Sequence, residues 1–294
     1  MANCFLFAVG SYDILNFPQD ARSLALNNTT SAYNGSFLQN NPAAISMHSV
    51  GISYSYSYLP SNIHLGSIQQ INKKGKRIRA TKISLLNYGT VIDSEYKQKS
   101  HAFDALVELG YKKELKNILS VGISGGYLFS TITGYNSQLM YSKLGIRCRL
   151  LNKKIGIGLS LENVGIVLKK YTNAKEPIPT LLRTSMYYKL KYLPLVLNID
   201  IINKQNEKYI LITNGFEFHI DDRFTLYFGS RLTHEKIKQT IENIKEFENL
   251  IIEYVDGIST GIGIKYGKTS LDFAFYNLRS TGYVLAFTLR KNSN

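Results

Sequence analysis

The sequence predicts an all-β protein: an up-and-down antiparallel transmembrane β-barrel of about fourteen strands, each about ten residues long. Three observations predict it. Apolar and polar side chains alternate with period two from residue 48 to the C-terminus. Turn-like punctuation separates the alternating segments, as at Asn72-Lys73-Lys74-Gly75, Asn152-Lys153, Lys204-Gln205-Asn206 and Asp221-Asp222. No run of roughly 18 consecutive apolar residues occurs, which excludes a helix-bundle membrane protein but leaves a barrel open.

The elements follow in order. Residues 1–12 open with Met1-Ala-Asn-Cys-Phe-Leu-Phe-Ala-Val-Gly10 and lack a basic n-region. They read either as the remnant of a signal peptide or as an apolar entry segment. Cys4 has no upstream apolar stretch of the kind a lipoprotein signal needs. Residues 13–47 break the alternation, with a short helix expected over Gln19–Asn27 and then Asn41-Pro42-Ala43. In that motif Pro sets its own φ and restricts the residue before it, which suits a fixed turn into the first strand.

The barrel itself spans 48–294. Its first strand places Val50, Ile52, Tyr54, Tyr56 and Tyr58 on one face and Gly51, Ser53, Ser55 and Ser57 on the other. Cleaner repeats follow at Lys154–Glu162 and Tyr283–Leu289. The remaining segments are 63–71, 77–88, 102–111, 119–129, 140–150, 181–190, 195–202, 211–220, 223–231, 258–266 and 269–276. One insertion interrupts the series. Residues 234–253 carry Ile237, Ile241, Ile244 and Phe247 at three- and four-residue spacing, an amphipathic helix in a loop outside the wall.

The direction of the apolar face decides between a membrane barrel and a soluble sandwich. One face of the 140–150 segment reads Tyr141, Lys143, Gly145, Arg147 and Arg149. In a sandwich such faces are solvated; in a barrel they line the lumen. There Asp104, Glu108, Glu162, Glu217, Arg147 and Arg183 are expected to pair with one another across the interior. Tyr54–Tyr58, Tyr187-Tyr188 and Tyr266 suit aromatic girdles, and about fourteen segments exceed the seven to nine of a usual sandwich. Charged residues make up only 19% of the chain, against about 25% in an average soluble protein, which leans the same way.

Several residues also resemble a known family. Leu15-Asn-Phe-Pro-Gln-Asp-Ala-Arg-Ser-Leu-Ala-Leu26, followed by Asn41-Pro42-Ala43, resembles the opening of the PorV/PorQ family of outer-membrane barrels. Leu86-Asn-Tyr-Gly89, Pro179-Thr-Leu-Leu182, Tyr192-Leu-Pro-Leu195, Gly215-Phe-Glu-Phe218 and Phe224-Thr-Leu-Tyr-Phe-Gly229 look more like its PorQ branch. Asn27-Asn28 stands where the family has Gly-Gly. The resemblance implies a FadL-like fourteen-stranded barrel with a plug built on Ala21, Arg22, Asn41, Pro42 and Ala43. It further implies a non-catalytic component of the type IX secretion system in the outer membrane of a Gram-negative, Bacteroidota-type cell. Its implied partners are lipopolysaccharide and PorZ-like, PorU-like and PorV-like proteins of a surface attachment complex. The alternative is a FadL-like transporter of hydrophobic compounds.

Other chemistry finds little support. His48, His64, His101, His219 and His234 are scattered, and none sits at ligand spacing from another His or from Cys4 or Cys148. No metal, catalytic or cofactor site is expected. Asp93 and Glu95, with His101 nearby in sequence, read as a polar loop. Gly122–Gly126 and Gly156–Gly158 lie inside strands and open no helix, so close packing explains them better than nucleotide binding. The net charge of +14 comes from lysines spread through turns without one stripe, so nucleic acid is not an expected partner. Rim cations meeting lipid phosphates and a biased genome composition explain it equally well.

Overall fold

The structure is a computed structural model. It describes residues 12–293 apart from 36–37, 47–49, 93–98, 117, 133, 173–175, 206–209, 234–256 and 279–280. Fourteen antiparallel strands close into one barrel, in which every strand pairs with its sequence neighbours and the first pairs with the last. They are β1 (Gly51–Leu59), β2 (Ile63–Lys74), β3 (Arg77–Ile92), β4 (Lys99–Glu114), β5 (Leu119–Ile132), β6 (Tyr135–Leu150) and β7 (Ile155–Lys169). Then come β8 (Leu181–Lys189), β9 (Leu195–Lys204), β10 (Ile210–His219), β11 (Phe224–Thr233), β12 (Ser259–Tyr266), β13 (Thr269–Asn277) and β14 (Tyr283–Asn292). Closure runs from Gly51↔Asn292 to Tyr58↔Leu285, so no strand edge is left open there.

The alternation points its apolar face outward. Ile83, Leu85, Leu109, Ile146, Leu159, Met186 and Leu285 are all exposed, whereas Ser53, Ser84, Glu108, Arg147, Ser185 and Thr288 on the opposite faces are buried. A soluble sandwich would bury the first set and expose the second. An apolar exterior around a polar interior is the pattern of a barrel solvated by lipid. Tyr54, Tyr56, Tyr188 and Tyr266 face outward as expected, but Tyr187 is inverted: it lies in the lumen, because it shares its face with Arg183 and Ser185.

The two rims differ. At one, the connections are tight: Gly75-Lys76 joins β2 to β3, Leu151–Lys154 joins β6 to β7, and Gly267-Lys268 joins β12 to β13. At the other lie longer connections, including 170–180 and 234–258. In outer-membrane barrels short turns face the periplasm and long loops face outward, which orients the molecule. The expected helix at 234–253 and nearly all of the segment 1–12 lie outside the described residues; Tyr12 already belongs to the lumen, where it is buried.

Residues 12–35 and 38–46 lie in the lumen. The expected helix is shorter than Gln19–Asn27: α1 spans Ala21–Ala25. Asp20 caps it by accepting from the Ser23 amide at 3.0 Å. Asn27 and Asn28 end it with φ of 52° and 65°, in the left-handed region that glycine adopts freely and asparagine tolerates best among the other residues. The pair that departs from Gly-Gly is therefore conformationally equivalent to it. α1 packs against β11 to β14 and β1, while the 3₁₀ turn Pro42–Ala44 packs against β4 to β7.

Candidate functional site

The lumen holds three kinds of surface: paired charges, an apolar chamber and a cationic cavity. The charges come from strand positions two apart on the inner face, which the pleat places in vertical rows. Glu108 on β4 receives two ammonium groups, Lys82 at 2.9 Å and Lys143 at 3.1 Å. Ser124 and Tyr141 donate to the same carboxylate at 2.7 and 2.9 Å, so every lone-pair direction is used. Arg183 on β8 bridges Glu162 at 3.0 Å and Asp200 at 3.2 Å.

Arg22 reaches from α1 to Glu217 on β10, donating through Nε at 3.2 Å and through its second amino group at 2.6 Å. Burial works against the Arg22 charge, but the Glu217 carboxylate outweighs it and holds the guanidinium protonated. Of the six residues expected to pair with one another across the interior, Glu108 pairs instead with Lys82 and Lys143 and Glu217 with Arg22, whereas Glu162 and Arg183 do pair with each other. Asp104 does not; it accepts from Tyr88 at 2.8 Å and from Ser130. Arg147 is also outside the carboxylate pairs, and donates to the Ala44 carbonyl at 3.1 Å. Lys82, Lys143 and Asp200 were not foreseen as partners, although each lies on an inward face of a strand readable in the sequence.

Asn41-Pro42-Ala43 fixes the second half of the plug. The Asn41 side chain accepts from the Ala43 amide at 2.9 Å, closing the turn, and donates to the Ile146 carbonyl at 3.1 Å. Pro42 lies directly over Gly122 and Asn41 over Gly145, positions where a Cβ would collide with the plug. Gly122 and Gly145 are thus contact points between wall and plug. Lys112 donates to the Ile45 carbonyl at 2.6 Å and Ser120 to the Ala43 carbonyl at 3.2 Å, satisfying backbone groups that the lumen keeps from water. Ala21 donates its amide to Thr288 at 2.8 Å.

The chamber occupies the half nearer the longer connections, against β2 to β6. Leu65, Leu86, Leu106, Leu128 and Leu139 point inward there, where the alternation promises polar residues. Tyr12, Ile14 and Leu15 fill it. Tyr12 donates or accepts at Ser137 at 2.6 Å and stacks on Tyr171 with ring centres 6.3 Å apart. The inward leucines do leave a trace in the sequence, since Leu85-Leu86 makes both faces of β3 apolar at that height.

Beside the chamber the wall changes. Asn163 sits at φ 60° in a bulge where the β6 register skips between Ser142↔Val164 and Leu144↔Leu161. The bulge shifts the parity of β7, so Val164, Ile166 and Leu168 now face outward in line with Leu161. Pairing with β8 stops at Glu162↔Leu181, and among the described residues no strand covers the β8-facing edge of 163–169. Val167, Tyr171 and Ile178 pack against the chamber from this side. Asn163 holds the break by donating to Asn16 of the plug at 2.8 Å and to the Pro179 carbonyl at 3.1 Å.

The expected histidine roles stay local. His64 pairs with the Tyr56 hydroxyl at 2.6 Å on the outer surface, His219 with Thr225 at 3.0 Å, and His101 is exposed. His48, His234, Asp93 and Glu95 lie outside the described residues, as does Cys4.

No protein-family model matches the chain, and no curated protein matches it. Solved structures do. The toluene transporter TodX of Pseudomonas putida superposes with a TM-score of 0.65 at 10% identity, covering 93% of this chain and 98% of TodX. The monoaromatic hydrocarbon channel CymD gives 0.64 at 9% identity over 94% and 97%. A FadL homologue of Pseudomonas aeruginosa gives 0.52 at 9% identity over 94% and 99%.

The chain shares their fold.

The likeness extends over nearly the whole chain. The resemblance to PorV and PorQ barrels rests on the quoted residues alone, whereas the FadL-like architecture it implies matches the solved structures.

Proposed function

We propose that this chain is an outer-membrane channel that passes hydrophobic small molecules sideways through its wall. The apolar chamber carries the reading: it lies inside the barrel, and Val167, Tyr171 and Ile178 pack against it beside the point where β7–β8 pairing stops at Glu162↔Leu181. The outward side chains Val164, Ile166 and Leu168 keep the lipid-facing surface apolar at the height of the uncovered β7 edge. A hydrocarbon entering from outside displaces Ile14 and Leu15, gains the burial they gave up, and leaves beside β7 without crossing the charged lumen. Similarity of fold to TodX and CymD supports this use. Uptake of radiolabelled toluene by cells producing the barrel tests it. The expected result is uptake above that of cells lacking the barrel, abolished by Val167→Trp, which blocks the edge. Uptake equal to that of cells lacking the barrel overturns the reading.

A second reading, the PorQ-like anchor of a type IX attachment complex, is favoured by one observation. The Lys82–Glu108–Lys143 and Arg183–Glu162–Asp200 clusters make much of the lumen a rigid, charge-paired filling, as befits a support rather than a pore. Purification in mild detergent followed by mass spectrometry separates the two. Recovery of a PorZ-like or PorU-like partner favours the anchor, and a bare barrel favours transport.

A further inference from the structure

A cavity of about 270 Å³ opens among lumenal residues at the short-turn rim, the end assigned to the periplasm. Its lining includes Arg147 and Arg149 from β6, Lys153 from the following turn, Lys189 from β8 and Lys73 from β2. Glu114 is the one carboxylate in that lining, and it is committed elsewhere: it binds Arg149 at 2.8 Å and lies 3.7 Å from Lys112. Arg147, Lys153, Lys189 and Lys73 have no carboxylate partner among the described residues.

Arg147 is the telling member. It is only 2% exposed, and its Nε–H has no hydrogen-bond partner among the described residues. A buried guanidinium without a counter-charge is strongly disfavoured unless an anion completes it. The wall beside it is shaped as well as charged. Tyr33 and Tyr187 pack with ring centres 4.9 Å apart, and the Lys189 ammonium lies 4.9 Å from the centre of the Tyr33 ring. These contacts hold Lys189 at the cavity edge instead of letting it trail into water. The Tyr187 hydroxyl donates to the Lys153 carbonyl at 3.1 Å, which fixes the turn that carries Lys153.

We propose that this cavity binds a small multivalent oxyanion, phosphate-bearing or polycarboxylate, from the periplasmic side. An anion in the cavity meets a planar donor fork from Arg147 and point charges from Lys153 and Lys189, the combination that suits a phosphoryl group. At about 30 Å³ per water, the space holds roughly nine waters, enough for inorganic phosphate or a compact phosphate ester. Lipid phosphate offers the same chemistry, but the lining side chains Arg147 and Tyr187 face the lumen and not the bilayer, which favours a soluble anion. The site is independent of the transport and anchor readings, since it lies at the opposite rim from the apolar chamber.

Phosphorus NMR on the whole barrel in a neutral detergent, titrated with inorganic phosphate and then with phosphatidylglycerol, tests the proposal. Saturable phosphate binding is expected, weakened at least ten-fold by Arg147→Gln and several-fold by Lys189→Gln. Lys189→Gln alters the cavity rim, giving up the ammonium's contact with the Tyr33 ring but no plug hydrogen bond shown for its side chain among the described residues, so it reads the site even if Arg147→Gln does not fold. Phosphatidylglycerol is expected not to compete. Absent phosphate binding, binding unchanged by Lys189→Gln, or displacement by phosphatidylglycerol each overturns the soluble-anion site.

Discussion

Arg22 and Glu217 lie 195 positions apart in the chain, yet form a two-pronged ion pair inside the barrel. One comes from the plug and the other from the wall, so the contact exists only when both are assembled. Removing either partner strands a buried charge.

Arg22→Ala is therefore expected to destabilise the folded barrel by about 3–5 kcal/mol, whereas joint replacement by Met and Leu is close to neutral. Urea titration in micelles, read by the slower gel migration of unfolded barrel, measures both. A small effect of Arg22→Ala would show that the plug is not held by this pair.

Glu108 holds two ammonium groups together. Glu108→Gln leaves Lys82 and Lys143 facing each other without a counter-charge, and a loss of about 3–5 kcal/mol is expected. Lys82→Met restores part of it in the double variant by removing the repulsion. A double variant no more stable than Glu108→Gln would contradict the pairing.

Gly145→Val fills the space that Asn41 occupies. The expected outcome is a barrel that still closes but no longer holds the Asn-Pro-Ala turn, with a trypsin site opened near the plug. Gly66, which has open space around it and no left-handed φ, serves as the control position for proteolysis. Equal protease resistance for Gly145→Val and the parent would mean that wall and plug do not touch there.

Leu109 is 61% exposed on β4 in the apolar exterior. Leu109→Arg is expected to cost about 2–4 kcal/mol if the position lies at the bilayer midplane, measured by refolding into phosphatidylcholine vesicles. An unchanged stability would show that water, not lipid, surrounds this face.

How far the sequence reaches can be followed residue by residue. Each of the fourteen strands corresponds to an alternating segment, because burial on one side and lipid on the other imposes a period that survives without neighbours. Ser53, Ser55 and Ser57 announce an inward face as plainly as Tyr54 and Tyr56 announce an outward one. Some details escaped that reading. Tyr187 looked like a girdle residue because aromatic character does not reveal depth. The bulge at Asn163 was hidden because a single left-handed residue changes parity without altering composition.

The sequence by itself determined the strand number, the alternation of apolar and polar residues along the strands and the presence of a segment that could not be a strand. These depend on local periodicity, which is carried by adjacent residues. Only the tertiary structure decided which charges meet, where leucines gather into a chamber and where arginine is left without a carboxylate. Those outcomes depend on register and on plug placement, which bring together residues far apart in the chain and leave no periodic mark.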